Sequence, residues 1–151
     1  HGLPQAGGKA LALKAKKSPD NVVVLVGDGE INEGSNWEAF LLALHHGLYN
    51  LTCIVDFNGS SERAVSVASI PASLKGLGWD LKEVNGHSEV EIIKAYRSKS
   101  KIVPTLIWAH TTKGKGISFM ENKKEWHHKV PDYQQFMDAK KEIEKKINNY
   151  A

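Results

Sequence analysis

The spacing of hydrophobic and polar positions changes repeatedly along this chain, and each change marks an element. Leu3, Ala6, Ala10 and Leu13 fall on one helical face. Pro4 suits a first helical position, and Lys14, Lys16 and Lys17 suit the C-terminal end of that helix. Gly7 and Gly8 lie inside it against their propensity, so close backbone approach is expected there. Ser18-Pro19-Asp20-Asn21 stops the helix. Val22 to Val26 is an unbroken apolar run, the pattern of a strand buried on both faces of a parallel sheet.

Gly27-Asp28-Gly29 ends that run abruptly. Ser35-x-x-Glu38 reads as a capping box opening a helix with Trp37, Phe40, Leu41, Leu44 and Leu48 at core spacing, closed by Gly47. Leu51 to Phe57 is the next strand, completing a βαβ unit that ends at Asn58-Gly59. Residues 60–69 are polar and irregular, a surface loop. A short helix over Pro71 to Leu77 and a strand over Trp79 to Val84 follow. A second box, Ser88-x-x-Glu91, opens a helix through Val90, Ile92, Ile93 and Tyr96, and Pro104 to Ala109 gives another strand. After a Gly/Lys-rich loop, Asp132 caps a last amphipathic helix carrying Tyr133, Phe136, Met137, Ile143 and Ile147. Strands alternating with helices predict an α/β fold, a mostly parallel sheet with helices on both faces.

Length and composition narrow the class. The 151 residues suit one domain, and 41% hydrophobic with 25% charged residues is an ordinary globular balance. No apolar run approaches the ~20 residues of a membrane helix. Cys53 is the single cysteine, which excludes a disulfide framework and fits a reducing, cytoplasmic setting. A net charge of +3 does not by itself imply nucleic acid, and Lys113, Lys115, Lys123, Lys124 and Lys129 have no reading element around them.

In open α/β sheets ligands sit beyond the carboxyl ends of the strands, and two consecutive strands here end in Asp28 and Asn58. A carboxylate, an amide and a main-chain carbonyl make a hard oxygen set, suited to Mg²⁺ or Ca²⁺. Glycines flanking Asp28 would let main-chain N–H groups approach a phosphate. Three rival motifs fail. An EF-hand register from Asp28 puts Glu33 at the obligatory glycine, Asn32 replaces the third glycine of a dinucleotide fingerprint, and Gly114-Lys115-Gly116 lacks the hydroxyl residue of a P-loop. Alone, Gly-Asp-Gly reads equally well as a turn that ends a strand.

The wider pattern is more specific. Gly27-Asp28-Gly29-Glu30, Glu33-Gly34, Trp37-Glu38-Ala39 and Asp56-Phe57-Asn58-Gly59 resemble the thiamine diphosphate motif of transketolases. So do His1-Gly2-Leu3, Asn85-Gly86-His87, His110-Thr111-x-Lys113-Gly114-Lys115-Gly116, Phe119-Met120-Glu121-Asn122 and Trp126-His127, in order over about residues 1–130. The resemblance implies a diphosphate-binding domain, with Gly27, Asp28, Gly29, Glu30, Asn58 and His127 around thiamine diphosphate. It implies that Asp28, the Asn58 side chain and the Ser60 main-chain oxygen hold Mg²⁺, with Ca²⁺ as a substitute. Gly29 would give its N–H to the diphosphate, Glu33 would meet a glutamate from another protomer, and His127 would reach diphosphate and substrate. The implied activity is transfer of a two-carbon ketol unit between sugar phosphates. A related thiamine diphosphate synthase, or an assembly domain that kept the fold, are the alternatives.

His128 stands where the family usually has glycine, and residues 60–69 do not follow the family closely. The chain begins at His1 without the upstream histidines, and without the domain whose acid activates the aminopyrimidine. The expectation is therefore one diphosphate-binding domain over 1–151, truncated at its start, inactive alone and completed by a pyrimidine-binding half in a dimer. His45 and His46 are expected to be structural residues at a helix end, and His87 to be structural in its turn.

Overall fold

Four parallel strands set out the positions that matter for function. The computed structural model describes residues 1–61 and 65–148. Its elements run α1 (Gly2–Ala15), β1 (Val22–Gly27), a 3₁₀ turn (Asp28–Asn32), α2 (Gly34–His45), β2 (Leu51–Phe57), α3 (Ile70–Leu77), β3 (Asp80–Asn85), α4 (Glu89–Arg97), β4 (Thr105–His110), a second 3₁₀ turn (Lys124–His127) and α5 (Tyr133–Asn148). The sheet order is β1-β2-β4-β3, with every pair parallel. Two compact units result, His1–Thr111 and Thr112–Ala151.

In the first unit the parallel register aligns Val24, Cys53, Leu106 and Leu81 across one sheet face, and Leu25, Ile54, Ile107 and Lys82 across the other. Leu3, Ala6 and Ala10 of α1, Ala39, Phe40 and Ala43 of α2, and Leu74 of α3 share the main core with the first face. Trp79 closes it, its indole N–H donating to the Phe40 carbonyl at 3.2 Å. On the second face Ala95, with Ile92 and Tyr96 of α4, covers Val84, Ile107, Ala109 and Ile54. The α/β fold with helices on both faces is thus as the sequence indicates.

Four local expectations are corrected. β1 is an edge strand, and α4's cluster takes in no β1 residue, so Val23 and Leu25 remain 49% and 69% exposed. The Val22–Val26 run is covered on one face only. Gly7 and Gly8 have open space where a Cβ would stand, so no backbone presses on them. The Ser35 box does not form, because α2 is capped two residues earlier, at Glu33, whose carbonyl accepts the Asn36 N–H at 3.0 Å. The buried stripe of α2 is Asn36, Ala39, Phe40 and Ala43, with Trp37 and Leu44 half-buried beside it. That rotation leaves Leu41 53% exposed.

Other helix ends follow the sequence. Gly47 leaves α2 in the left-handed region at φ +53°, and Gly78 does the same after α3 at φ +115°. Ser88 Oγ accepts the Glu91 N–H at 3.3 Å, but the Glu91 carboxylate turns to the Asn85 N–H instead of completing the box. In the second unit Asp132 and Gln135 cap α5 reciprocally, each side chain accepting the other's N–H at 2.8 and 3.0 Å. Residues 62–64, within the loop expected over 60–69, lie outside the described residues, and Val67 of that loop is fully buried. Among the described residues no helix is long and apolar enough to cross a membrane.

Candidate functional site

The register places Gly27 opposite Asp56, so the chain leaves β1 and β2 side by side at Asp28 and Asn58. Asp28 is only 2% exposed. Its Oδ2 accepts a long 3.5 Å hydrogen bond from the Ser61 N–H, which ties the two strand-end loops together. Among the described residues that is the hydrogen bond its carboxylate receives, and a buried carboxylate is costly unless a cation or further donors face it. Ser61 Oγ, on the same loop, is buried with no hydrogen-bond partner. One under-compensated carboxylate and one orphaned hydroxyl on clasped loops fit an oxygen-ligated cation, and the expected Mg²⁺ is of that kind.

The turn after β1 is held in shape by Glu30. Its carboxylate accepts the Gly27 N–H at 2.8 Å, and Ile31 anchors the turn in the core at 0% exposure. Gly29, between Gly27 and Glu30, is exposed, with nothing within 4 Å of where a Cβ would stand. A second strap runs from Asn32 Nδ2 to the Val65 carbonyl at 3.4 Å. Glu33 begins α2 with its side chain 50% exposed.

At the end of β2 the Asn58 side chain folds over its own loop. Asn58 Oδ1 accepts from the Ser60 N–H at 3.0 Å and, in a shorter bond, from Ser60 Oγ. Asn58 Nδ2 donates to Asp56 Oδ2 at 3.3 Å, while Thr111 Oγ1 donates to Asp56 Oδ1. Asp56 is therefore spent on holding the loop and the chain after β4. The Asn58 oxygen offered to a cation is the one that Ser60 engages here, so coordination would displace the Ser60 hydroxyl.

His127 belongs to the second unit, on its 3₁₀ turn, where Nδ1 lies 3.2 Å from Lys113 Nζ. His128 packs edge-on against it at 4.4 Å between ring centres. The frame behind them is tight. Lys113 O accepts the Asn122 N–H at 2.9 Å, and the Trp126 indole donates to the Phe119 carbonyl at 3.1 Å. The Gly116 N–H holds the Glu121 carboxyl below the usual carboxylate range. The Ser118 hydroxyl, and then its N–H, do the same to Glu142 of α5.

His110 Nε2 pairs with Glu83 at 3.1 Å and its ring stands edge-on to Phe57. His45 ends α2 and His46 follows it, as expected, and the His87 N–H donates to Asn85 Oδ1. Sequence reasoning missed Ser61 and Asn36. Asn36 carried a signal, being a polar residue on the stripe otherwise filled by Ala39, Phe40 and Ala43.

Comparisons with known proteins agree with the fold. The family described as "Transketolase, thiamine diphosphate binding domain" matches residues 12–148. One of the subunits of apulose-4-phosphate transketolase in Phocaeicola vulgatus is 39% identical over 154 residues, covering 97% of this chain and 55% of that protein. The protein of the same name in Actinobacillus succinogenes is 40% identical over 139 residues, covering 87% of this chain and 50% of that protein. The chain thus spans about half the length of these curated relatives. Among solved structures, transketolase of Campylobacter jejuni superposes with a TM-score of 0.83 at 29% identity, over 94% of this chain and 24% of that one.

Proposed function

Because the chain belongs to the transketolase thiamine diphosphate-binding family, we propose that it is the diphosphate-binding part of a two-subunit transketolase that moves a two-carbon ketol unit between sugar phosphates. The observation that carries this reading is buried Asp28, clasped to the loop after Asn58 and, among the described residues, without a paired cationic side chain. Asp28, the Asn58 side chain and the Ser60 main-chain oxygen would hold Mg²⁺, for which Ca²⁺ is a substitute. Gly29 would give its N–H to the diphosphate, with Gly27 and Glu30 keeping the turn in shape. His127 would reach the diphosphate and the sugar phosphate. When bound, thiamine diphosphate supplies the carbanion chemistry of ketol transfer; the protein binds, orients and excludes water.

A partner supplies the rest. The two relatives are each named as one subunit of a transketolase, which supports a separate partner chain; that partner would be the pyrimidine-binding half of a dimeric, cytoplasmic transferase. Glu33 is half-exposed at the start of α2, and the same helix lines a cleft of about 250 Å³ with Ser35, Glu38 and Leu42, facing Pro4, Gly7 and Leu11 of α1. A carboxylate such as Glu33 is costly to bury unpaired; in the isolated chain it is not unpaired, since its Oε2 lies 3.9 Å from the His1 terminal ammonium, but it stays half-exposed and open to a partner's glutamate.

The test is reconstitution. The chain is mixed with its pyrimidine-binding partner, thiamine diphosphate and Mg²⁺, and xylulose 5-phosphate is offered with an aldose phosphate acceptor. Ketol transfer by the mixture and by neither chain alone is the expected result. Turnover by this chain unaided would contradict the reading, since the activating acid would then lie within these residues.

A further inference from the structure

Asn36 is the most deeply buried polar residue of α2, at 0% exposure, and its two amide atoms are treated very differently. Nδ2 donates to the Glu30 carbonyl at 2.6 Å, whereas Oδ1 is buried with no partner. A carbonyl only accepts, so the amide cannot be turned over without setting two oxygens against each other. The Glu30 carbonyl already accepts the Glu33 N–H at 3.0 Å, so the Asn36 bond is not needed to satisfy it. Leaving a buried acceptor orphaned to add a second donor is unfavourable for folding alone.

What the bond does is fix Glu30 from behind. Glu30 is held at its carbonyl by Asn36 and at its carboxylate by the Gly27 N–H, 2.8 Å away. Asp28 and Gly29 are the two residues between those clamps. We infer that Asn36 is a positioning residue for the cofactor: it sets the turn that aims the Asp28 carboxylate and the Gly29 N–H, without touching the ligand. This rests on the proposed function, which makes that turn the diphosphate and Mg²⁺ site.

The experiment compares wild type, Asn36→Ala, Asn36→Ser and Asp28→Ala as the full chain. Titration with thiamine diphosphate at saturating Mg²⁺ is followed by calorimetry and by the Gly29 amide resonance, alongside hydrogen exchange at the Gly27 amide and ligand-free melting. The expected result is a Kd raised about tenfold in a folded Asn36 variant, as for loss of an outer partner of a ligand group. Exchange at Gly27 should speed up with it, and the shift of Gly29 on saturation should differ from wild type. An Asn36 variant that melts lower yet keeps the wild-type Kd and Gly29 shift overturns the inference, since the role is then structural only. If Asn36→Ala does not fold, the Asn36→Ser result decides. If wild type gives no binding, the proposed function falls and the inference with it. Binding by wild type, lost in Asp28→Ala and unchanged in both Asn36 variants, overturns the inference alone.

Discussion

Lys14 of α1 donates from Nζ to the main-chain carbonyl of His46 at 2.6 Å and to that of Gly47 at 2.9 Å. One lysine therefore caps the C-terminal end of a different helix, α2, 32 residues away in sequence. The negative end of the helix dipole meets a cation there, at the His46 carbonyl and at a Gly47 carbonyl that also accepts the Tyr49 N–H at 2.8 Å. Lys14→Met keeps most of the aliphatic stem and removes the charge. It should lower stability by about 1 kcal/mol, measured by urea unfolding, with the loss shrinking as salt is added. A variant as stable as wild type at low salt would show that this contact contributes nothing to α1–α2 packing.

Gly114 is a second specific constraint, in the other unit. Its φ is +72°, and a Cβ there would stand 2.6 Å from the Met120 carbonyl oxygen. Both the conformation and the space forbid a side chain, so Gly114→Ala should cost roughly 2 kcal/mol locally. The loop that carries Lys113 and closes on Asn122 should open, seen as faster hydrogen exchange at the Asn122 amide. Unchanged exchange would show that the loop is not held as described.

Burial pushes the Cys53 thiol up from an ordinary value of 9.0 to about 12, with the Glu30 charge adding to the shift. The folded protein keeps the proton that the unfolded chain gives up near 9.0, so this contribution to stability is complete below that value. It is lost as pH rises towards about 12. Cys53 should therefore resist thiol alkylation in the native chain at about pH 8 and react fully in denaturant. Labelling of native protein at the rate of a free thiol would show that the strand is not closed as described.

The sequence and the structure agree most where one residue decides the local outcome. Gly47, Gly78 and Asp132 each end or start a helix by their own chemistry, and β2 runs over Leu51–Phe57 as the alternation of elements indicates. Agreement fails where the outcome depends on what lies opposite. The Val22–Val26 run looks ready for cover on both faces, but cover is a property of α4's path, and α4 reaches only as far as Ile54. The buried face of α2 escapes the spacing for the same reason, since Ala39 and Ala43 are inside while the larger Leu41 is outside. At the proposed site, Asp28, Asn58 and Gly29 can be picked out because strand ends gather ligands in this architecture. Ser61 cannot, because its importance lies in a backbone bond to Asp28 that no spacing announces, and Asn36 shows only as a polar residue on an apolar stripe, with its amide bond to Glu30 unannounced.

The central claim is that buried Asp28 exists to hold a cation that in turn holds a diphosphate. Calorimetric titration of the chain with thiamine diphosphate, with Mg²⁺ and then with excess chelator, measures it most directly in wild type and Asp28→Ala. Wild type should bind weakly when its pyrimidine-binding partner is absent, and should release the cofactor on chelation. Asp28→Ala should lose at least about tenfold in affinity. Equal binding by the two proteins, or binding indifferent to the chelator, would contradict it.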